Sequence, residues 1–276
     1  GVTPDHIIAT NGGDELLRLL FTTFLAPGTP IATTRPSYSL YPVLAAIQDC
    51  PVAEVPMNDD FDLPTGLAEQ ANAAGAGITA LVNPHAPSGR LFPAAAIAGL
   101  ADALDGILLV DEAYVDFVDP ALEHDLVALV RERDNLVLLR TLSKGHALAG
   151  LRFGYGIGAP GLIEPMLTKT RDSYNVDAIA QELATAALSD REWARDNHAM
   201  VRTERARLAA ELARLGFDNP PSQSNFLFAR VPDGCRAGEL RERLRDAGIL
   251  VRHFDQPGLD DRLRISIGTP EEDEVL

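Results

Sequence analysis

The sequence predicts an α/β fold in which a mostly parallel sheet carries helices on both faces and is followed by a smaller α+β unit. Three observations predict it. Short apolar strands alternate with amphipathic helices over roughly the first 180 residues. The strands are near-continuous apolar runs with polar residues directly after them, which is typical of buried parallel strands with a ligand at their carboxyl ends. A long helix laced with charges then introduces a different pattern.

The predicted strands of the first unit are runs of apolar or β-branched residues bounded by Gly, Pro or polar side chains. They cover residues 7–10, 30–33, 52–56, 77–82, 106–110, 136–139 and 153–157. Helices are predicted where apolar residues recur at helical spacing, over residues 15–25, 41–48 and 93–104, with one more between the third and fourth strands.

The second unit begins with a predicted helix over residues 190–215. It continues with a strand at 225–231, a helix at 237–247 and strands at 249–252 and 263–267. We therefore predict a large domain over residues 1–188 and a small C-terminal domain over residues 189–276 that includes the linking helix. The chain starts without Met and ends in what is predicted to be the first turn of a helix, so the sequence is expected to be truncated.

The charge balance excludes several classes of partner. Acidic residues outnumber Lys and Arg by 40 to 24, and the net charge of −16 disfavours nucleic acid and anionic membranes. No apolar stretch approaches the ~20 residues of a membrane span, and no secretory signal is visible. Cys50 and Cys235 form no disulfide framework or zinc motif, which favours a reducing compartment such as the cytoplasm. The His residues lack metal-ligand spacing, so no metal is predicted.

Lys144 is the candidate reactive amine. It follows an apolar strand, where burial can lower the pKa of an amine and suit it to Schiff-base chemistry. A solvated surface position is the ordinary alternative for a lysine. The hydroxyls of Thr141 and Ser143 and the guanidinium of Arg152 stand close by in sequence. Together they predict a cradle for a phosphate-bearing aldehyde.

Three further segments carry candidate binding groups, each with a structural alternative. Asp111 ends a predicted strand and can pair with a protonated ring nitrogen, with Tyr114 able to reach a ring oxygen; the alternative is a helix N-cap. Gly12 and Gly13 separate a strand from a helix and let backbone amides approach an anion; the alternative is an ordinary turn. Tyr38 can stack on a flat cofactor or pack in the core.

Two other patterns are rejected. The glycines at positions 154, 156 and 158 faintly resemble a nucleotide-binding loop, but they run through a predicted strand instead of linking a strand to a helix. Ser143 lacks the sequence context of a hydrolase nucleophile, and no triad is visible.

Six motifs occur in an order that we recognise. They are Asn11–Leu16, Pro36–Tyr41, Asn83–Gly89, Asp111–Tyr114, Thr141–Lys144 and Leu263–Thr269. Together they resemble the fold-type-I pyridoxal-phosphate aminotransferases, and the segments 172–176, 251–254 and 257–260 resemble the histidinol-phosphate aminotransferase family in particular. The resemblance covers essentially the whole chain. It implies a three-layer α/β/α large domain of the pyridoxal-phosphate-dependent transferase type, a smaller C-terminal domain and a homodimer.

The resemblance also implies roles for individual residues around pyridoxal 5'-phosphate. Lys144 would bond to the cofactor aldehyde and move the proton of the substrate α-carbon. Asp111 would hold the ring nitrogen protonated, Tyr114 would hydrogen-bond the ring 3-oxygen, and Tyr38 would stack on the ring. The cofactor phosphate would be held by the amides of Gly13 and Asp14, with Thr141 or Ser143 and Arg152, and Gly12 would belong to the same cofactor-binding site.

Two arginines are implied to bind substrate. Arg264 matches the residue that grips an α-carboxylate through a two-pronged guanidinium contact. Arg252 is a candidate for the phosphate of histidinol phosphate or the distal carboxylate of glutamate.

The sequence departs from the family at three places. Ala86 stands where an Asn that donates to the ring 3-oxygen is usual, so that Asn83 or His85 compensates or Tyr114 acts alone. Gly145 and His146 stand where Ala-Phe is frequent. Family members also carry an N-terminal segment that reaches the neighbouring subunit, and this sequence does not contain it.

Three functions are therefore kept. The leading one is transamination of histidinol phosphate with 2-oxoglutarate, which gives imidazole acetol phosphate and glutamate in histidine biosynthesis. The second is an aromatic aminotransferase or a same-fold lyase such as a threonine-phosphate decarboxylase. The third is a truncated, non-catalytic module.

Overall fold

The fold is described from a computed structural model that covers residues 1–276. Its larger sheet has seven strands, each close to its predicted position. They are β1 (Ile7–Thr10), β2 (Ile31–Arg35), β3 (Val52–Pro56), β4 (Ile78–Val82), β5 (Ile107–Asp111), β6 (Leu136–Thr141) and β7 (Gly154–Gly158). Their order across the sheet is β1-β7-β6-β5-β4-β2-β3. The pairs from β6 to β3 are parallel, and β7 runs antiparallel to both neighbours, so the predicted mostly parallel sheet is confirmed.

The central strands are buried on both faces because their apolar residues alternate between two cores. Along β6, Val137 and Leu139 belong to one apolar cluster, and Leu136 and Leu138 belong to the other. The first cluster includes residues of α1 (Gly13–Phe24) and α2 (Leu40–Ile47). The second includes residues of α3 (Leu67–Ala74), α4 (Ala94–Ala103) and α5 (Val127–Val130). Helices thus cover both faces, which gives the three-layer arrangement.

Three helices of the larger unit have no sequence-based prediction, namely the short α5, α6 (Pro160–Pro165) and α7 (Ala178–Ser189). The pattern of α7 explains why. Its buried residues are the small Ala180 and Ala184, whereas the large Ile179 and Leu183 are exposed. A helix that turns its smallest side chains inward does not show the usual apolar periodicity.

The C-terminal part forms a second, three-stranded antiparallel sheet of order β8-β10-β9. Its elements are α8 (Arg191–Arg214), β8 (Phe226–Arg230), α9 (Ala237–Asp246), β9 (Arg252–His253), β10 (Arg262–Ser266) and α10 (Pro270–Val275). The strand predicted at 249–252 is shorter and starts later. Gly248 has a φ of 85°, and Ile249 N–H donates to the Leu244 carbonyl, so these residues finish the last turn of α9.

The predicted division of the chain falls at residues 188 and 189, in the last turn of α7. The division into two domains stays a prediction. None of the helices is both long and apolar enough to cross a membrane.

Strand direction brings the polar ends of four strands to one edge of the sheet. Strands β1 and β6 share a direction because both run antiparallel to β7. Asp111 and Thr141 are the last residues of β5 and β6, and Gly12 and Tyr38 follow β1 and β2 within three residues. The candidate groups therefore gather at the carboxyl edge, as the sequence predicts.

The glycines of β7 let this edge pack closely. A Cβ at Gly154 would lie 2.7 Å from the carbonyl carbon of Gly12 and 2.7 Å from the nitrogen of Gly13. Only a residue without a side chain allows the strand to touch the turn that begins α1. The interpretation of these glycines as strand residues is confirmed.

We expect Gly154→Ala to lower the free energy of unfolding by ~1–3 kcal/mol, because the added methyl group must push β7 away from the start of α1. Urea denaturation measures the change. Gly161→Ala is the matched control, since a Cβ there meets nothing within 4 Å and should leave stability unchanged or slightly raised. Equal midpoints for Gly154→Ala and the native chain would contradict the close packing.

Candidate active site

A cavity of about 300 Å³ opens at the carboxyl edge of the larger sheet. Ten residues that the sequence singled out line it: Gly13, Asp14, Tyr38, Asp111, Tyr114, Thr141, Ser143, Lys144, Arg152 and Arg264. Arg264 comes from β10 of the smaller sheet, so both sheets contribute to the cavity. The rest of the lining is apolar, from Leu17, Val82, Ala86, Ala113, Leu139 and Ala149.

Asp111 presents a buried carboxylate at the floor of the cavity. Its Oδ1 accepts a hydrogen bond from the backbone N–H of Ala113 at 3.0 Å, and its Oδ2 accepts one from the Tyr41 hydroxyl at 3.2 Å. Burial raises the pKa of Asp111 to about 6, against the opposing effect of these two hydrogen bonds. The group is therefore mostly ionised at neutral pH and can pair with a protonated ring nitrogen.

Lys144 and Tyr114 face one another across the cavity. The Lys144 Nζ lies 5.8 Å from the centre of the Tyr114 ring. Burial and then the positive charge of Arg264 lower the pKa of the Lys144 amine, so more of it is neutral and nucleophilic than for a solvated lysine. Burial raises the pKa of Tyr114, whose hydroxyl therefore stays protonated and can donate. Phe226 of β8 packs edge-on against Tyr114, with ring centres 5.1 Å apart.

The start of α1 forms an anion pocket with Arg152. The amides of Gly13 and Asp14 lie in the first helical turn, where no intrahelical acceptor exists. Gly12 has a φ of 76°, and a Cβ there would collide with the Arg152 guanidinium, so the helix start and the arginine lie in direct contact. Arg152 Nη2 donates to the Asp14 carboxylate at 3.3 Å.

Two hydroxyls complete the pocket on the β6 side. The Thr141 hydroxyl donates to Ser143 Oγ at 2.9 Å, and the Ser143 amide donates back to Thr141 Oγ1 at 3.1 Å. A guanidinium, helix amides and hydroxyls are the groups that bind a phosphate. This end of the cavity therefore fits a phosphate-bearing ligand.

Tyr38 stands at the rim, where it is 38% exposed. Its hydroxyl donates to Asp14 Oδ1 at 3.3 Å, and burial together with the Asp14 charge raises the pKa of Tyr38 to about 12. Its ring meets the Tyr41 ring edge-on, with centres 5.6 Å apart. Tyr38 is thus anchored at both ends, and its ring borders the cavity as a stacking surface.

Arg264 and Arg252 form an unneutralised pair beside the cavity. They are direct cross-strand partners in β10 and β9, and neither has a carboxylate within 4.0 Å. Arg264 also borders an adjoining cavity of about 500 Å³ that Arg252 lines. The Arg252 guanidinium lies 5.3 Å from the Phe254 ring, and that of Arg264 lies 5.1 Å from the Phe226 ring. Like charges directly opposite each other are unfavourable, so the pair fits an anionic ligand.

Three residues of the predicted site, Asn83, Gly12 and Arg252, do not line the central cavity. Asn83 is fully buried, and its amide donates to the Phe92 carbonyl at 3.1 Å and accepts from the Phe92 amide at 2.8 Å. It does not reach the cavity, because both of its polar atoms hold the chain at Phe92. Gly12 lies behind Arg152, and Arg252 lines only the adjoining cavity.

His85 does not replace the missing asparagine either. Its Nε2 lies 3.0 Å from the Pro36 carbonyl, and its Nδ1 lies 2.7 Å from Ser88 Oγ. Burial lowers the pKa of His85 to about 4, so the ring is neutral. Of the alternatives raised by Ala86, the structure leaves Tyr114 as the hydroxyl that can reach a ring oxygen.

Sequence reasoning missed several supporting residues. Tyr41 was noted only as part of a motif, although its hydroxyl contacts Asp111. Glu112 and Arg140 form a buried ion pair with Nε and Oε2 2.8 Å apart, which ties β5 to β6 directly beside Asp111. The adjacent acidic residues Asp111 and Glu112 indicated that buried partners were needed. The sequence did not indicate which side chain would contact each carboxylate.

Comparison with known proteins gives consistent matches. Residues 2–276 match the family described as aminotransferase class I and II. Histidinol-phosphate aminotransferase 1 of Trichormus variabilis is 41% identical over 276 residues, which are 100% of this chain and 76% of that protein. Histidinol-phosphate aminotransferase of Rhodopirellula baltica is 41% identical over 269 residues, 98% of this chain and 72% of that protein.

A solved structure supports the same likeness. The crystal structure of histidinol-phosphate aminotransferase from Sinorhizobium meliloti, in complex with pyridoxal-5'-phosphate, superposes with a TM-score of 0.92 at 27% identity. The superposition covers 100% of this chain and 76% of that one. The predicted fold class is confirmed by this agreement.

We expect Arg264→Gln to raise the pKa of the Lys144 amine, because the substitution removes a nearby positive charge that disfavours the protonated form. The chain has only two lysines, Lys144 and Lys169, so 13C NMR of reductively methylated protein resolves the titration. Lys169→Arg assigns the signals.

Arg252→Gln is the matched control for this experiment. It removes an equal charge opposite Arg264 but is not among the groups that perturb Lys144. An unchanged titration in Arg264→Gln, or an equal rise in Arg252→Gln, would contradict the electrostatic explanation.

Proposed function

This chain belongs to the class I and II aminotransferases, and from that membership we propose that it transfers the amino group of histidinol phosphate to 2-oxoglutarate with pyridoxal 5'-phosphate as cofactor. The products are imidazole acetol phosphate and glutamate. One observation carries the proposal: Lys144, Asp111 and Arg264 line a single cavity. They supply an amine, a buried carboxylate and an unpaired guanidinium around the space in which an amino acid would react.

The residues around the cavity fit the cofactor. Lys144 offers a primary amine to the aldehyde, Asp111 a carboxylate to the ring nitrogen, and the start of α1 with Arg152 a site for the phosphate. When bound, pyridoxal phosphate supplies an electron-poor ring that accepts the electron pair of a bond broken at the substrate α-carbon.

The protein residues carry out the proton movements. The Lys144 amine, whose pKa is lowered by burial, would act as the base that takes the proton from the substrate α-carbon and delivers it to the adjacent carbon of the cofactor. The ionised carboxylate of Asp111 would keep a proton on the ring nitrogen. The protonated Tyr114 hydroxyl would donate a hydrogen bond to the ring oxygen, a role for which an Asn is usual.

Substrate binding is assigned to the two arginines. Arg264 lies where both cavities meet and would take a carboxylate or a phosphate in a two-pronged contact, with Arg252 one strand away in the adjoining cavity. The two arginines suit an amino donor that ends in a phosphate, and they equally suit an amino donor with a second carboxylate. The relatives named for histidinol phosphate favour the phosphate-bearing donor.

We expect purified protein mixed with pyridoxal phosphate to develop an absorption band near ~420 nm that requires Lys144. Lys144→Ala should abolish the band, and Lys169→Ala, at the other lysine, should retain it. Glutamate should then bleach the band, and histidinol phosphate should do so at a lower concentration than phenylalanine or threonine phosphate.

The remaining outcomes of this experiment separate the alternatives. Preferential bleaching by phenylalanine would indicate an aromatic aminotransferase, and release of CO₂ from threonine phosphate would indicate a decarboxylase. Absence of any band would overturn the enzyme assignment and favour a non-catalytic module.

A homodimer is the second part of the proposal. Two helices expose pairs of aliphatic residues one turn apart, Val43 and Ile47 on α2 and Ile179 and Leu183 on α7. Ile47 is 75% exposed and Ile179 is 71% exposed, and such surfaces are usually covered by a partner.

We expect sedimentation equilibrium to give twice the chain mass of 29.6 kDa, and we expect Ile179→Glu to lower the measured mass. A monomer at every concentration would contradict the dimer.

A further inference from the structure

We propose that Tyr41 is a positioning residue that acts through Asp111: its hydroxyl fixes the orientation of the carboxylate and holds it in the charged form that the ring nitrogen requires. The proposal rests on the proposed function, because Asp111 matters for catalysis only if a protonated ring sits opposite it. The contact between the two side chains, however, is a property of the protein alone.

The hydroxyl of Tyr41 has a single partner. Tyr41 lies in the first turn of α2 and is fully buried, and its hydroxyl donates to Asp111 Oδ2 at 3.2 Å. Because the other carboxylate oxygen accepts from Ala113 N–H, both oxygens are held by the protein. The plane of the carboxylate is thereby fixed by two elements that follow different strands of the sheet, α2 after β2 and the loop after β5.

The charges that face Asp111 come from every element packed around it. The titratable groups are Asp14 on α1, Lys144 after β6, Tyr41 on α2, Tyr38 after β2 and Tyr114 after β5. Of these, Asp14 favours the neutral form of Asp111, and Lys144 favours the charged form. Tyr41 favours the charged form as well, but without carrying a charge of its own.

Because the Tyr41 hydroxyl is uncharged, it differs from a cationic side chain that could also stabilise the Asp111 carboxylate. Burial and the nearby carboxylate raise the pKa of Tyr41 well above its usual value, so the hydroxyl remains a donor at all working pH values. A buried arginine in the same place would stabilise the carboxylate but would also repel a protonated ring nitrogen. A phenol stabilises the negative charge of Asp111 without adding a positive charge beside the ring nitrogen.

Loss of the Tyr41 hydroxyl should have a measurable effect, because burial already brings the pKa of Asp111 close to neutral pH. Burial raises the pKa of Asp111 to about 6 with the hydrogen bond in place. A hydrogen bond to a charged group contributes ~1 pH unit or more to such a balance. Without the hydroxyl, the pKa of Asp111 would therefore rise further, and a larger share of the carboxyl groups would be neutral at pH 7.

Tyr41→Phe isolates this effect. The ring contact with Tyr38, at 5.6 Å between centres, can remain in the variant, so only the hydroxyl is lost. Tyr155→Phe is the matched control, because it removes a hydroxyl from a largely buried tyrosine that faces Arg140 in the same sheet. Thermal unfolding of both variants reports the purely structural cost of losing a hydroxyl.

The deciding measurement is a pH titration of the Asp111 carboxyl group in the protein without cofactor. The titration is monitored by 13C NMR of aspartate labelled at Cγ. The Asp111 signal is identified by its absence in Asp111→Asn. We expect its midpoint to rise by about one pH unit in Tyr41→Phe, a tenfold change in proton affinity, and to stay unchanged in Tyr155→Phe. A fluorinated tyrosine at position 41, which keeps the ring and is a stronger donor, should lower the midpoint. An unchanged midpoint in Tyr41→Phe would overturn the proposal.

A second readout tests the catalytic consequence. In the protein loaded with pyridoxal phosphate, the acidic limb of kcat against pH should move upward by about the same amount in Tyr41→Phe, with KM for glutamate little changed. A native limb position in that variant would overturn the role in catalysis. If the native chain shows no transamination, the proposed function fails, whereas the carboxyl titration still decides whether Tyr41 controls Asp111.

Discussion

Burying an ionised carboxylate at the end of β5 is the constraint around which the site is organised. An unpaired charge removed from water costs several kcal/mol, so Asp111 must be hydrogen-bonded from the protein side and open toward a cationic partner on the other. The Ala113 amide and the Tyr41 hydroxyl supply the first requirement. The next residue, Glu112, is equally buried, and Arg140 neutralises it. The two adjacent carboxylates thus have different partners, because successive residues of an extended chain point to opposite faces of the sheet.

The central cavity has more basic than acidic side chains, although the chain as a whole is strongly acidic. The protein carries a net charge of −16, yet its central cavity is lined by three basic residues, Lys144, Arg152 and Arg264, against two acidic ones, Asp14 and Asp111, with Arg252 next to it. Phenylalanine rings support the outer arginines and leave the guanidinium edges free. Anionic ligands are therefore attracted by a small concave region, while the remaining surface repels nucleic acid and membranes.

Ala86 has a wider consequence than the loss of one hydrogen bond. Ala86 lines both the cavity that contains Lys144 and the adjoining cavity that contains Arg252, so a larger side chain there would reduce the space in both. The two neighbours that could have compensated have other partners: Asn83 holds the chain at Phe92, and His85 contacts Ser88 and the Pro36 carbonyl. In the proposed function the hydrogen bond to the ring oxygen is assigned to Tyr114, whose ring packs edge-on against Phe226 of the smaller sheet.

Most of the larger sheet could be predicted because its information is local. Each strand is a short apolar run, and all seven strands of the larger sheet lie within a few residues of their predicted positions. Lys144, Asp111 and Arg152 could be proposed because polar residues directly after buried strands meet at one edge. Helix α7 could not, since its buried face is formed by Ala180 and Ala184 and its large residues point outward. The strand at 249–252 was misplaced because a glycine turn outweighed β propensity there.

The sequence by itself determined the order of the strands in the larger unit, the strand edge at which the ligand groups meet, and the residue types that suit pyridoxal phosphate. These follow from periodicity and residue chemistry, which are properties of short segments. Only the tertiary structure decided that Asn83 is withdrawn from the cavity, that Arg252 and Arg264 stand side by side, and that Tyr41 reaches Asp111 across 70 residues of chain. Which side chain satisfies a buried polar group depends on which elements pack together, and that is settled only when the whole core is assembled.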